Sequence, residues 1–300
     1  MSDSKTKSGF IAVIGRPNAG KSAFLNWIVG EKITMVSHKA NATRKRSNVI
    51  AMYEDEGEST QLVFIDTPGL HEKERLLNIF MMEEALKAMG DADLILFLAP
   101  VHDKTDEYEK FLKLNEKNIP HILLLTKSDE VSKDKLFEKI TQYVQYQDKY
   151  LELIPTSIKK GSDQKAILRT LSKHLPLSPH YYDSEILTTQ KMKDIYKEFI
   201  RESLFNNLSK EIPYFSDVVI EKVEELSNLE KVFAQIVVET KSQKGIVIGH
   251  DGKTLRRIGQ DARLLIEGLT GKKVFLKLFV VVKAGWSKDK KSLGELGYDI

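Results

Sequence analysis

The sequence predicts an α/β fold, a mixed and mainly parallel sheet flanked by helices, joined to a smaller α+β unit. Two observations carry this. Through about residue 173, apolar β-rich runs alternate with longer amphipathic stretches, the rhythm of successive strand–helix units. A break at Leu175-Pro-Leu-Ser-Pro-His-Tyr-Tyr182 follows, and beyond it the order of elements changes. With 300 residues, two domains are expected: 1–174, a linker at 175–190, and 191–300.

Strands are expected at 10–15, 47–53, 61–66, 94–98, 121–126 and 150–156. Helices are expected at 21–29, 75–89, 105–118, 132–147 and 164–173. After the break, Met192, Ile195, Tyr196, Phe199, Ile200 and Leu204 recur at helical spacing until Pro213 ends the pattern. Strands at 215–223 and 232–240 come next, then the turn Gly249-His250-Asp251-Gly252, a helix at 253–269 and a strand at 273–283.

Apolar residues make up 41% of the chain and charged residues 30%, which suits a globular protein and excludes wholesale disorder. There is no cysteine, which removes disulfides, thiolate zinc sites and cysteine nucleophiles. The polar N-terminus lacks a signal-peptide core, and no apolar run approaches the roughly 20 residues of a membrane span. A soluble protein is expected. From Gln243 onward, nine Lys and three Arg face six acidic residues, a net +6 within a total of +3. A polyanion is therefore expected to bind the C-terminal part.

Gly15-Arg16-Pro17-Asn18-Ala19-Gly20-Lys21-Ser22 matches G-x-x-x-x-G-K-[ST] between a β-rich run and a helical one. In that setting backbone N–H groups cradle phosphates at a helix N-terminus, Lys21 reaches the β- and γ-phosphates, and the Ser22 hydroxyl coordinates Mg²⁺. Asp66-Thr67-Pro68-Gly69 ends the strand that carries Leu62-Val-Phe-Ile65. It places a carboxylate where it can hold a Mg²⁺-bound water, and the Gly69 N–H where it can sense the γ-phosphate.

Thr126-Lys127-Ser128-Asp129 resembles the [NT]-K-x-D element of GTPases, in which the Asp accepts hydrogen bonds from guanine N1 and N2. Adenine offers no such donor pair, so Asp129 selects GTP. Thr126 stands where Asn is commoner, and one supporting hydrogen bond is expected to be weaker or rerouted. Ser157 and Ile158 occupy the place of an element whose backbone N–H contacts guanine O6, with Ile158 where Ala is usual. Asn41-Ala42-Thr43-Arg44-Lys45-Arg46 resembles the first switch of translation-factor-type GTPases, which implies that Thr43 binds Mg²⁺ when the γ-phosphate is present; Ala42 departs from the Thr-Thr pattern. Lys21, Thr43, Asp66 and Gly69 are thus the expected catalytic set.

Leu70 follows Gly69, where Ras-like proteins carry a Gln that orients the attacking water. Leucine cannot do so, and slow intrinsic hydrolysis is expected. In relatives that also lack the Gln, the Asn of the phosphate loop helps bind K⁺, which implies K⁺ at Asn18; the alternative is that Asn18 only fits the turn. His71 reads as a polar switch residue rather than a catalytic base.

Ile246-Val-Ile-Gly249-His-Asp-Gly252-Lys-Thr-Leu-Arg256-Arg257-Ile258 resembles the Gly-x-x-Gly core of a KH domain of type II. That likeness implies a groove for single-stranded nucleic acid. Ile246 and Ile248 are its expected apolar wall, Gly249, His250 and Gly252 the turn, and Lys253, Arg256 and Arg257 the phosphate contacts. Trp286, beside the Lys288–Lys291 run, is expected to stack on a base rather than lie in a solvated tail. Asp251 departs from the basic residue frequent there.

A P-loop GTPase domain followed by a KH domain, ending in Val282-Lys-Ala-Gly-Trp286 and Leu293-Gly-Glu-Leu-Gly-Tyr298, resembles the Era family of bacterial ribosome-assembly GTPases. The resemblance implies a cytoplasmic monomer that binds GTP or GDP with Mg²⁺ and the 3′ end of 16S rRNA in 30S subunit maturation. It also implies nucleotide control of RNA binding and peripheral association with the inner membrane. Competing readings are an ATP-using P-loop enzyme, which Asp129 opposes, and a GTPase with a protein-binding C-terminal module.

Overall fold

The computed structural model describes residues 6–37, 43–55, 57–70, 76–208 and 211–298. Asn41, Ala42, His71 and the expected helix start at Arg75 lie outside them. Two compact units form, one from Met1–Glu31, Thr43–His71 and Met81–Thr189, the other from Lys32–Ala42, Glu72–Phe80 and Gln190–Ile300.

The first unit holds a six-stranded sheet made by β1 (Thr6–Ile14), β2 (Ser47–Asp55), β3 (Glu58–Asp66), β4 (Leu94–Pro100), β5 (His121–Thr126) and β6 (Leu153–Pro155). Its order is β2-β3-β1-β4-β5-β6, with β2 antiparallel to β3 and every other pairing parallel. Helices α1 (Lys21–Val29), α2 (Leu76–Gly90), α3 (Asp106–Leu114), α4 (Lys133–Val144) and α5 (Gln164–Lys173) follow β1, β3, β4, β5 and β6 respectively. Ile11, Ala12, Val13 and Ile14 on β1 are all fully buried, the continuous apolar run of a strand covered on both faces rather than the alternation of a half-exposed one. Each of the larger ones stabilises the unit by about 1.5–3 kcal/mol. Because β1, β3 and β5 run parallel, the loops at their C-terminal ends open on the same edge of the sheet, where α/β folds bind ligands.

Expected and observed element ends differ where side chains intervene. The helix expected to run to residue 118 stops at Leu114, because Asn115 accepts the Ile119 N–H at 3.0 Å and donates to the Ile119 carbonyl at 2.8 Å, closing a turn. The strand expected at 10–15 begins at Thr6, paired with Ser59.

The stretch read as a linker does not hang free, for residues up to Thr189 belong to the first unit. Buried Gln61 on β3 accepts the N–H groups of Tyr181 and Tyr182 at 2.9 and 3.0 Å and donates to the Tyr182 carbonyl at 2.8 Å. Ile50 N–H donates to the Leu187 carbonyl at 2.8 Å, so the stretch also covers β2, an edge that would otherwise be open. Prolines stop a helix without preventing a chain from packing.

The second unit carries a three-stranded sheet of β7 (Ser216–Glu225), β8 (Leu229–Val238) and β9 (Lys273–Val282), with β7 antiparallel and β9 parallel to the central β8. Helices α6 (Met192–Asn207), α7 (Lys241–Ile248) and α8 (Lys253–Thr270) bury Ile200, Leu204, Val247, Ile258 and Ala262 against Val218, Ala234 and Ile236. Thr240 and Gln243 form a capping box at the start of α7. The chain end, with α9 (Lys290–Glu295), is fixed by Tyr298, whose hydroxyl donates to buried Asp217 at 2.8 Å.

Candidate active site and nucleic-acid interface

The loop from Gly15 to Ser22 joins β1 to α1, and its backbone is already set. Asn18 takes a left-handed φ of 63°, a conformation that Asn tolerates better than most side chains. The Lys21 ammonium is buried and donates to the carbonyls of Gly15 (3.0 Å) and Arg16 (3.2 Å). Burial lowers its pKa to about 8, against the opposing pull of Asp66. Arg16 forks onto Asp103 with two contacts of 2.5 Å, so Asp103, which sequence reasoning missed, anchors the loop.

Ser22 Oγ, Thr43 Oγ1 and Asp66 Oδ2 converge. Ser22 lies 3.1 Å from Thr43 and 3.4 Å from Asp66, and Thr43 lies 3.4 Å from Asp66. Next to Asp66, the Thr67 hydroxyl donates to the Val13 carbonyl at 2.6 Å and ties the end of β3 to β1. Gly69 is pressed against the loop, where an added Cβ would meet Pro17 N at 2.6 Å and its Cα at 2.9 Å. Leu70 N–H donates to the Gly15 carbonyl at 3.3 Å, and its side chain packs on the core of the unit. Arg44 is buried despite the polar character of its segment.

At the end of β5, the Thr126 hydroxyl donates to the Ala19 carbonyl at 3.1 Å, fixing this strand end to the phosphate loop. Lys127 adopts a left-handed φ of 58° and leads into the turn Ser128–Glu130. Ser157 Oγ donates to Asp129 Oδ1 at 2.6 Å, which holds the Asp129 carboxyl below its ordinary range and keeps it an acceptor. The Ser157 N–H is engaged by Ser162 Oγ at 2.7 Å.

In the second unit, Gly249 (φ 71°) and Gly252 (φ 72°) bracket the turn between α7 and α8. At Gly249 a Cβ would meet Thr254 Oγ1 at 2.2 Å, whereas at Gly252 it would meet open space. His250 is exposed and paired with Asp251 at 2.8 Å. Lys253, Arg256 and Arg257 are exposed. Beside them runs a groove of about 490 Å³, lined by Gly252, Leu255, Arg256, Gly259, Leu276 and Leu278 among others.

One expectation fails here, that for Trp286. Ile246 is 47% exposed and Ile248 packs on the core; the apolar wall of this groove comes from Leu255 on α8 and Leu276 and Leu278 on β9. Trp286 is fully buried, its indole N–H donating to the Phe215 carbonyl at 3.2 Å, so it cannot stack on a base. The tail folds back and uses the largest side chain available as core. Arg256, Gly259, Gln260 and Arg263 share one helical face, a periodicity that could have located the groove from sequence.

The Asp129 carboxylate in the turn after β5, a strand whose end is tied to the Gly-Lys-Ser loop, defines a guanine-nucleotide-binding domain, and the glycine turn with its groove defines a KH module. Residues 10–127 match the family of 50S ribosome-binding GTPases and residues 211–287 the KH domain family. The chain is 51% identical to the GTPase Era of Campylobacter concisus (strain 13826) over 97% of this chain and 100% of that one. It is 50% identical to the GTPase Era of Helicobacter pylori (strain P12), over 98% and 97%. Among solved structures, an Aquifex aeolicus Era variant bound to GDP.AlF4- matches with a TM-score of 0.91 at 28% identity, over 98% of this chain and 100% of that one. Era in complex with MgGDPNP and nucleotides 1506–1542 of 16S ribosomal RNA matches with the same TM-score, identity and coverage. The chain belongs to the Era family of GTPases: it is a GTP-hydrolysing enzyme with a C-terminal KH domain.

Proposed function

We propose that this GTPase uses Mg²⁺, binds the 3′ end of 16S rRNA through its KH groove during 30S subunit maturation, and ties RNA affinity to the state of its nucleotide. The observation that carries the reading is the likeness of the whole chain, both sites included, to a relative solved with MgGDPNP and 16S rRNA nucleotides 1506–1542.

The donor set fits Mg²⁺. The Ser22 and Thr43 hydroxyls lie 3.1 Å apart, close to the edge of about 3.0 Å that an octahedron of oxygens at 2.0–2.1 Å requires, and Asp66 Oδ2 stands 3.4 Å from each of them. Ser22 and Thr43 would hold the ion directly and Asp66 through water; once bound, it offsets the negative charge of the β- and γ-phosphates. Lys21, freed from its two carbonyls, neutralises the same phosphates, and the Gly69 N–H reports the third. Asp129 takes guanine N1 and N2, and the Ile158 N–H is the candidate for guanine O6, since that of Ser157 is engaged.

Nucleotide control is supported by the segments on either side of the phosphate-sensing residues. Lys32–Ala42, which leads into Thr43, belongs to the second unit, where Glu202 pairs with Lys32 (2.7 Å) and accepts the Val36 N–H (3.1 Å). Glu72–Phe80, which follows Gly69 and Leu70, belongs there too, with Phe80 edge-on to Tyr298 at 5.4 Å. Contacts of Thr43 and Gly69 with a γ-phosphate thus bias segments of the KH-bearing unit. Crosslinking and RNA sequencing in GTP and in GDP tests this reading: enrichment of the 16S 3′ end that is stronger in GTP is expected, and equal recovery in both removes the coupling.

K⁺ at Asn18 belongs to the same proposal and predicts faster turnover in KCl than in NaCl at equal ionic strength. Equal rates leave Asn18 as the residue that fits the left-handed turn. A monomeric state and a peripheral place on the cytoplasmic face of the inner membrane rest on the family resemblance. Among the described residues no helix is long and apolar enough to cross a membrane.

A further inference from the structure

Past the groove, the second unit holds another cavity, of about 550 Å³, lined by Lys231, Phe233, Arg263, Glu267, Lys273 and Phe275 among others. Arg263 lines both cavities, so they are consecutive along α8 and β9. At 1.5 Å per helical residue, about 16 Å separates Gly252 from Arg263, and Glu267 lies about 6 Å further on. The first distance suits the four nucleotides or so that a Gly-x-x-Gly groove clamps. The second adds room for about one more.

The edge of β9 is closed at one point beside the second cavity. Glu267 Oε1 accepts the Val274 N–H at 3.0 Å. Backbone groups of alternate residues in a strand point to the same side, so Leu276 and Leu278 present theirs on the side marked by this bond, toward the groove. The edge is therefore open along 276–278 and capped at Val274. Next to the cap stand Phe233 and Phe275, with ring centroids 6.2 Å apart and planes at 60°. Phe275 is 49% exposed, and Lys231 is its partner in the register of β8 and β9. Arg263 and Lys273 add positive charge, while the one carboxylate lining the cavity, that of Glu267, is engaged by Val274.

We propose that this second cavity is a base-stacking subsite for one further nucleotide of the single strand held in the groove. Phe275, supported by Phe233, stacks on the base, and Arg263 and Lys273 meet its phosphate. The inference rests on the reading that the groove binds single-stranded RNA. Charge favours a nucleic acid over an apolar protein segment, because basic side chains flank both rings.

The test uses the full chain and a nested set of single-stranded oligoribonucleotides, four to eight nucleotides long, cut from the 3′-terminal segment of 16S rRNA. Fluorescence anisotropy should show a step of about tenfold in affinity when the oligonucleotide outgrows the groove, the scale of one base on an aromatic ring. Phe275→Ala should remove that step and leave four-nucleotide binding and GTP turnover unchanged, and Phe275→Trp should restore it. A step that persists in Phe275→Ala, or an equal loss at every length, overturns the subsite while the groove reading stands; a partner other than RNA would then face the rings. If wild-type protein binds no oligonucleotide of any length, the groove reading falls and the subsite with it.

Discussion

In the phosphate site of the first unit, the working side chains hold one another: Lys21 on two loop carbonyls, Ser22 on Thr43 and Asp66, Ser157 on Asp129, Arg16 on Asp103. The groove of the second unit is built on another plan, with Lys253, Arg256 and Arg257 turned to solvent and two glycines fixing only the backbone. Chemistry on a small, highly charged substrate rewards dipoles and charges set in advance, since reorganising them would raise the barrier. A polymer needs access along its length, and flexible cations can follow its phosphates. Errors of position should therefore be costly at the first site and tolerated at the second, where errors of access or charge should matter.

The largest test of this contrast is Gly69→Ala. Its Cβ would sit 2.6–2.9 Å from Pro17, and the displaced loop should lose about a hundredfold in GTP turnover, the scale of a 1 Å misplacement. Steady-state phosphate release measures it, and RNA binding in GDP should not change. Near-normal turnover would show that the phosphate loop yields to an added methyl group. Gly252→Asp is the mirror experiment. A side chain there meets open space but a left-handed backbone, so the unit should fold at a cost of about 1–2 kcal/mol. Its carboxylate against phosphates should weaken RNA binding at least tenfold, with turnover in the absence of RNA intact.

A smaller signal comes from Lys21. With its pKa lowered to about 8, the nucleotide-free ammonium is charged below pH 8 and mostly neutral above it, and a triphosphate pulls the pKa back up. GTP binding at pH 8.5 should therefore take up on the order of half a proton, read by calorimetry in buffers of different ionisation enthalpy, and the uptake should fade at pH 7. The smallest effect belongs to Gly259→Ala in α8. A Cβ there would lie at ordinary contact distance, 3.6 Å from Leu278. Helix propensity should stabilise the unit by about 0.5–1 kcal/mol, seen in thermal melting, while RNA affinity drops a few-fold as the groove narrows.

Local chemistry was legible in the sequence. Lys21–Val29 and Gln164–Lys173 begin and end as their apolar patterns and flanking residues indicate, and the loop from Gly15 to Ser22, Asp66 and Asp129 announced a guanine-nucleotide site because each carries its function on one chain segment with a set backbone. The periodicity of α8 was legible too, and so was the glycine turn before it.

Tertiary structure alone decided which neighbours these segments acquire. Asp103 has no pattern of its own and gains its role only because β4 and β1 lie side by side, which brings it to Arg16. Trp286 beside lysines has the composition of a nucleic-acid contact, yet the tail folds back and buries it. Leu278 is as apolar as Ile246, and only the packing of α8 against β9 turns it to the groove. Sequence fixed what each residue can do, because propensity, charge and hydrogen-bonding capacity are properties of short segments. Which of those capacities is used depends on contacts between residues far apart in the chain, and those exist only once it has folded.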